Sequence, residues 1–163
     1  MNDGMPDYAF VPGGPFPHPN VGRRAEPAPL PIEEGSWRAS PSYLLGFELF
    51  NAGYYWEAHE VWEGLWHAHG LRGPIADLLK GLIKLAAAGV KVRQGQPHGI
   101  VTHAARAAAC FASARRVAGR DLLGMDLDEL EERSRRIADA PGISPVDLEA
   151  RVARVFEFTL MPT

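Results

Sequence analysis

The residues best suited to chemistry lie together in residues 54–69, YYWEAHEVWEGLWHAH. This stretch holds Trp56, Trp62 and Trp66, His59, His67 and His69, and Glu57, Glu60 and Glu63. On a helix, His59, Glu63 and Trp66 fall within about 60° of one another. Tyr55 and Trp62 lie beside them, and Glu57, Val61, Gly64 and Ala68 lie opposite. The expectation is an inward aromatic face carrying His59 and Glu63, with Glu57 turned outward. Glu60 and His67 flank that face.

The spacing His-x-x-x-Glu puts both side chains on adjacent turns, where they can share an ion or bond each other. A buried carboxylate is costly unless something pairs with it. The central question is therefore what neutralises Glu63. One answer is a divalent metal, with further ligands from Glu60, His67, His103 or Glu48. Mixed His/carboxylate sets suit zinc, manganese, iron or nickel. A small organic ligand bound at the same place is the related answer, walled by Tyr55, Trp62, Trp66, Lys80 and Lys84. If the site is catalytic, a metal-bound water with Glu63 or Glu60 as base gives hydrolysis. The rival reading makes His59–Glu63 a buried structural pair in a non-catalytic interaction module, for which a homodimer is the simplest partner.

The elements that position these groups are helical. Ser40 and Pro41 form a helix start, and Gly53 is a stop. The second helix follows over 54–69 and ends at Gly70. A third begins at Pro74 and runs to about Gln94, with Ile75, Leu78, Leu79, Leu82, Ile83, Ala86 and Val90 at three- and four-residue spacing. After Gly95, an alanine-rich fourth helix covers residues 98 to 118, close enough to the third to make a hairpin. Asp126 with Glu129 reads as a capping box for a fifth, ending near Ala138. Ser144-Pro145 with Asp147 starts a sixth to about Thr159, with Val152, Val155 and Phe156 as its buried stripe. No strand pair is expected. Residues 1–38 hold eight of the fourteen prolines and predict an extended arm. The reading is all-α: one helical domain over 39–163, of five or six helices arranged in hairpins, behind a Pro-rich arm.

Bulk properties narrow the function classes. The chain has 163 residues, 46% apolar, with net charge −3. Lys and Arg are scattered, which disfavours nucleic acid. One cysteine, Cys110, allows neither a disulfide framework nor a Cys-based zinc site. The longest apolar run, 81–90, is interrupted by Lys84 and far too short to span a bilayer, and the start lacks a signal-peptide pattern. These features predict a cytoplasmic protein with no membrane or nucleic-acid partner.

Residues 43 to about 118 resemble the prokaryotic family of unknown function DUF309. The resemblance rests on His59, Glu63 and Trp66 in the pattern H-x-x-x-E-x-x-W, on FNAGYYWEAHE over 50–60, and on LKGLIKLAAA over 79–88. It implies an all-α fold and a metal-binding motif, with no established reaction. The family pattern favours glutamine where Lys80 and Lys84 stand, and histidine near Lys91. A lysine stripe facing the second helix would neutralise Glu63 with an ammonium in place of a metal.

Overall fold

The computed structural model describes residues 4–19, 27–142 and 147–163. Five α-helices run in the expected order among them: α1 (Pro41–Ala52), α2 (Tyr55–Ala68), α3 (Pro74–Gln94), α4 (Pro97–Ala118) and α5 (Leu127–Asp139). Their ends follow local chemistry. Ser40 Oγ accepts from Tyr43 N at 3.4 Å to start α1, and Gly53, at φ 94°, ends it in the left-handed region. Asp126 Oδ1 accepts from Asp128 N and Glu129 N at 3.0 and 3.1 Å to start α5. Its other oxygen takes both Nε and Nη2 of Arg120, at 3.0 and 2.7 Å. That guanidinium is the main reason the Asp126 carboxyl titrates below the ordinary range.

Each helix packs chiefly on its neighbours in sequence, so α1 meets α2, α2 meets α3, α3 meets α4 and α4 meets α5. Three of these contacts share one device. The Trp62 ring of α2 sits on Gly46 of α1, Tyr55 of α2 on Gly89 of α3, and Phe111 of α4 on Gly81 of α3. A Cβ added at Gly46 would lie 2.0 Å from Trp62 Nε1. Trp62 is fully buried and donates its indole N–H to Tyr43 O at 3.3 Å. Phe47 and Phe50 pack edge-on and tilted against it.

Two expectations fail. The first concerns the sixth helix. Its start signal, Ser144-Pro145, lies outside the described residues, but residues 147–163 form turns and extended chain. Phe156, Phe158 and Leu160 repeat every second residue, and this extended pattern prevails over the helical spacing of Val152, Val155 and Phe156. Phe156 and Phe158 stack on each other and lie over Phe50. Side chains of the bundle then take the backbone bonds a helix would have used. Asn51 brackets Leu160, donating to its carbonyl at 2.7 Å and accepting from its N–H at 2.8 Å. Tyr55 OH accepts from Val155 N at 2.9 Å, and Arg93 Nη2 donates to Ala150 O at 2.9 Å. The second failure is a small antiparallel hairpin, β1 (Asp121–Leu122) with β2 (Met125–Asp126), pairing Leu122 with Met125. Its turn carries Leu123 at φ 49° and Gly124 at φ 76°. Leu123 tolerates that conformation because it is buried and its carbonyl accepts the Tyr43 hydroxyl at 2.8 Å.

Of the N-terminal segment, residues 4–19 and 27–33 are described; turns and bends punctuate 4–19, and a 3-10 helix follows over Glu34–Ala39. The segment packs on its own bundle, burying Ala9, Val11 and Ile32. Tyr54 OH donates to Pro6 O at 2.8 Å, Gln94 Nε2 to Pro12 O at 3.0 Å, and Ile32 N to His69 Nε2 at 2.8 Å. Among the described residues no helix is long and apolar enough to cross a membrane.

Gly46→Ala forces the Trp62 ring off its seat and should cost about 3 kcal/mol of unfolding free energy in denaturant titration; a loss under about 1 kcal/mol would mean the ring has room to tilt. His69 must stay neutral at Nε2 to accept from Ile32, and burial lowers its pKa. A depressed histidine pKa favours folding above the ordinary value of about 6.5, and that contribution is lost as pH falls through the histidine range. Hydrogen exchange at the Ile32 amide, corrected for intrinsic rate, should therefore lose protection on acidification. In His69→Gln, whose amide oxygen is an acceptor at any pH, protection should not change with pH.

Candidate functional site

The inward face of α2 is set by Tyr55, Ala58, Trp62 and Leu65, all buried. That stripe is rotated away from the expected one. Aromatic rings point in several directions around this helix, so the face that closes on α1 and α3 is the one whose small residue, Ala58, permits close approach. Two consequences correct the sequence reading. Glu57, expected outward, is 6% exposed, because the N-terminal segment covers that side and Phe10 N donates to Glu57 Oε2 at 3.1 Å. Glu63, expected inward, has a side chain 43% exposed.

Glu63 is held within its own helix. His59 Nε2 lies 3.0 Å from Glu63 Oε2, and His67 Nε2 lies 3.8 Å from Glu63 Oε1. No lysine pairs with Glu63 among the described residues. Lys80 is exposed, with its ammonium 5.9 Å from the centre of the Trp66 ring, and Lys91 Nζ donates to Gln96 Oε1 at 3.0 Å. Glu60 accepts the Trp56 indole N–H and lies 3.8 Å from His18 Nε2. Glu48 is exposed on α1. Tyr55 and Trp62 belong to the core.

These positions do not suit one metal ion. His59 and His67 are eight residues apart on one straight helix, a rise of about 12 Å, and cannot converge on a single centre. Among the described residues no three His, Cys, Asp or Glu side chains group as ligands. The donors present are instead engaged with one another along the rim of α2.

Convergence occurs one turn toward the N-terminus of α2. Trp56 and His59 of α2, Ala87, Val90, Lys91 and Gln94 of α3, and His103 of α4 line one half-open cavity of about 180 Å3, with Pro12 of the N-terminal segment at its edge. Periodicity places these side chains. Trp56 and His59 are i and i+3, and Ala87, Val90, Lys91 and Gln94 are i, i+3, i+4 and i+7. Phe10 and His18 pack edge-on against the outer side of Trp56, at ring distances of 5.0 and 5.6 Å. Larger depressions lie along residues 27–42, about 470 Å3, and beneath residues 155–158, about 600 Å3. The first has Glu33 as its only charged wall residue. In the second, Arg133 and Arg136 are already paired with Glu129 and Glu132. Neither brings titratable groups together from three helices.

The two histidines differ in character. His59 Nδ1 lies 3.3 Å from Trp56 O while Nε2 faces Glu63. A neutral ring can donate to only one of these oxygens, and a doubly protonated ring donates to both. His103 Nδ1 is buried with no hydrogen-bond partner. Burial first, then the charges of Lys84, Lys91, Arg106 and His59, lower its pKa and keep it neutral. Cys110, further along α4, has its thiol pKa raised by burial.

Residues 43–103 match the model of a family described as Domain of unknown function (DUF309). This segment is a DUF309 domain. The match is shorter than the stretch to residue 118 that the sequence resemblance suggested, and it ends within α4. The DUF309 segment nevertheless contains every residue of the cavity wall except Pro12, with His103 as its last matched residue. His59, Glu63 and Trp66, on which the sequence resemblance rests, run along the outer edge of α2, and only His59 reaches the cavity. No curated protein and no solved structure matches the chain.

Sequence reasoning singled out His59 and His103 but read outward along α2 from His59 toward Glu63. Trp56, Gln94 and Pro12 were missed. The stripe at 87, 90, 91 and 94, which ends in two polar residues, was the signal available for Gln94. A buried, unpartnered imidazole nitrogen costs stability. His103→Leu should therefore raise the unfolding free energy, by about 1 kcal/mol, as replacement of a functional polar group by an apolar one often does. Thermal and denaturant unfolding would measure this, and clear destabilisation would assign His103 a structural role.

Proposed function

We propose that this protein binds a small organic molecule in the cavity between α2, α3 and α4, with His59 and His103 as the polar groups that meet it. The observation that carries this reading is the buried, unpartnered His103 Nδ1 on the wall of a cavity that also presents His59 from a different helix. Native proteins leave few buried polar atoms unpaired, and one that faces a cavity is placed to be satisfied by what enters it. The volume, about 180 Å3, is below that of pockets for drug-sized ligands and equals the space of about six waters. The ligand is correspondingly small. Trp56, Ala87 and Val90 give it an apolar wall, and His59, Lys91, Gln94 and His103 give it polar contacts.

This choice between the metal and organic-ligand readings rests on geometry. His59 and Glu63 face each other at 3.0 Å, and the other candidate ligands are spread along α2 or lie across the cavity. Two measurements test it. Titration with neutral benzamide, followed by the Trp56 indole and histidine ring resonances, should show saturable shifts at Trp56, His59 and His103. Ala87→Leu, which fills the cavity, should abolish them. Elemental analysis of untagged protein should give well under one divalent ion per chain. One tightly held ion per chain, lost in a His59→Ala/Glu63→Ala variant, would replace this reading with the metal one.

A further inference from the structure

The walls of the cavity are not electrically balanced. Lys91 and His103 lie on the wall with His59, and Lys84 and Arg106 are close enough to His103 to act on its charge. No carboxylate lies on the wall. The nearby acids of α2 are engaged outside it, Glu60 with Trp56 and His18, and Glu63 with His59 and His67. The wall thus carries one ammonium, that of Lys91, beside an imidazole whose Nδ1 lacks a partner, with Lys84 and Arg106 adding positive charge near that imidazole.

We infer that the ligand is a small carboxylate with an apolar body, its anionic end held by Lys91 and His103 and its body lying on Trp56, Ala87 and Val90. This inference rests on the cavity being the binding site, and it adds the chemical class. Lys91 keeps two donor hydrogens beyond the one given to Gln96 Oε1. Its aliphatic stem packs closely on Gly99 of α4. That seat fixes the side chain at the α3–α4 junction before any ligand arrives, so less side-chain freedom is lost on binding. A planar carboxylate accepts from an ammonium and an imidazole N–H at once. A single ammonium and a neutral ring suit a monoanion better than a phosphate, which favours several basic groups or a guanidinium fork. Trp56, whose indole N–H goes to Glu60, and the two aliphatic side chains give no hydrogen bond to the ligand, so the part lying on them is apolar, and Gln94 Oε1 is left to accept from any donor the ligand carries.

A carboxylate bound beside neutral His103 favours the protonated ring. The charged groups that bear on His103 are Lys84 and Lys91 from α3, Arg106 from α4 and His59 from α2. All oppose protonation in the free protein, and the anion would offset them. Binding should therefore be accompanied by proton uptake, which grows as pH falls below the ordinary histidine range.

The experiment compares benzoate with benzamide, which share shape and differ in charge, by calorimetry on the full chain in two buffers of different ionisation enthalpy. Benzoate should bind about tenfold more tightly than benzamide, with proton uptake that disappears in His103→Leu. Lys91→Met should erase the preference for benzoate, bringing its affinity within about twofold of that of benzamide. Equal affinity for the two probes, or a preference for benzylamine or phenyl phosphate over benzoate, would overturn the carboxylate assignment and leave the cavity as the site. If neither benzoate nor benzamide binds, the cavity reading falls as well.

Discussion

Ring-on-glycine contacts set the spacing between successive helices. Trp62 rests on Gly46, Tyr55 on Gly89 and Phe111 on Gly81, so three helix pairs are each keyed by one aromatic side chain occupying the space where the neighbour has no Cβ. Interiors pack at crystal-like density, and a contact of this kind fixes both distance and rotation because neither partner can slide without opening a void or a clash. Two of the three rings come from α2. That helix is therefore locked against α1 on one side and α3 on the other, and the directions of Trp56, His59 and Glu63 follow from that locking.

The bundle alone leaves one side of α2 and the ends of α1 and α3 uncovered, and two irregular segments cover them. The N-terminal segment buries Glu57 and reaches Pro12 to the cavity edge; the C-terminal segment runs back over Phe50 and Tyr55. Extended chains have no internal ladder, so their buried backbone groups need partners from elsewhere. Here side chains supply them. Asn51 serves Leu160, Tyr55 serves Val155, Arg93 serves Ala150, and Gln94 serves Pro12. Arg93 is buried to do this, and desolvation lowers its pKa. Gln94 gives its amide N–H to the segment and keeps its carbonyl oxygen unpartnered beside the cavity, which links the covering segment to the site.

The cavity arises where this covering is incomplete. α2, α3 and α4 meet around His59, Gln94 and His103, and the small side chain of Ala87 leaves space that no residue of the covering segments fills. Its walls combine an indole face, two aliphatic side chains and basic groups. Of the acids that the sequence crowds into the same helix, Glu60 and Glu63 are turned to the rim, where histidines and the Trp56 indole satisfy them.

The sequence by itself determined five helices and their ends, though it also predicted a sixth that does not form over 147–163. Ser40-Pro41, Gly53, Pro74, Gly95 and Asp126 act through local backbone geometry and capping, which do not depend on the rest of the fold. It also determined that chemistry-bearing residues concentrate on the second helix, and that His59 and His103 were candidates. Only the tertiary structure decided which way that helix faces. Its aromatic residues surround it, so periodicity favoured a face through His59, Glu63 and Trp66, whereas packing against Gly46 and Gly89 selected Tyr55, Ala58, Trp62 and Leu65. The same long-range contacts turned Glu57 inward beneath a segment more than forty residues away in sequence. They also held residues 147–163 extended and brought His103 opposite His59. Caps and stops are set by neighbours along the chain; the rotation of a helix is set by what it packs on, and that partner is named nowhere in its own sequence.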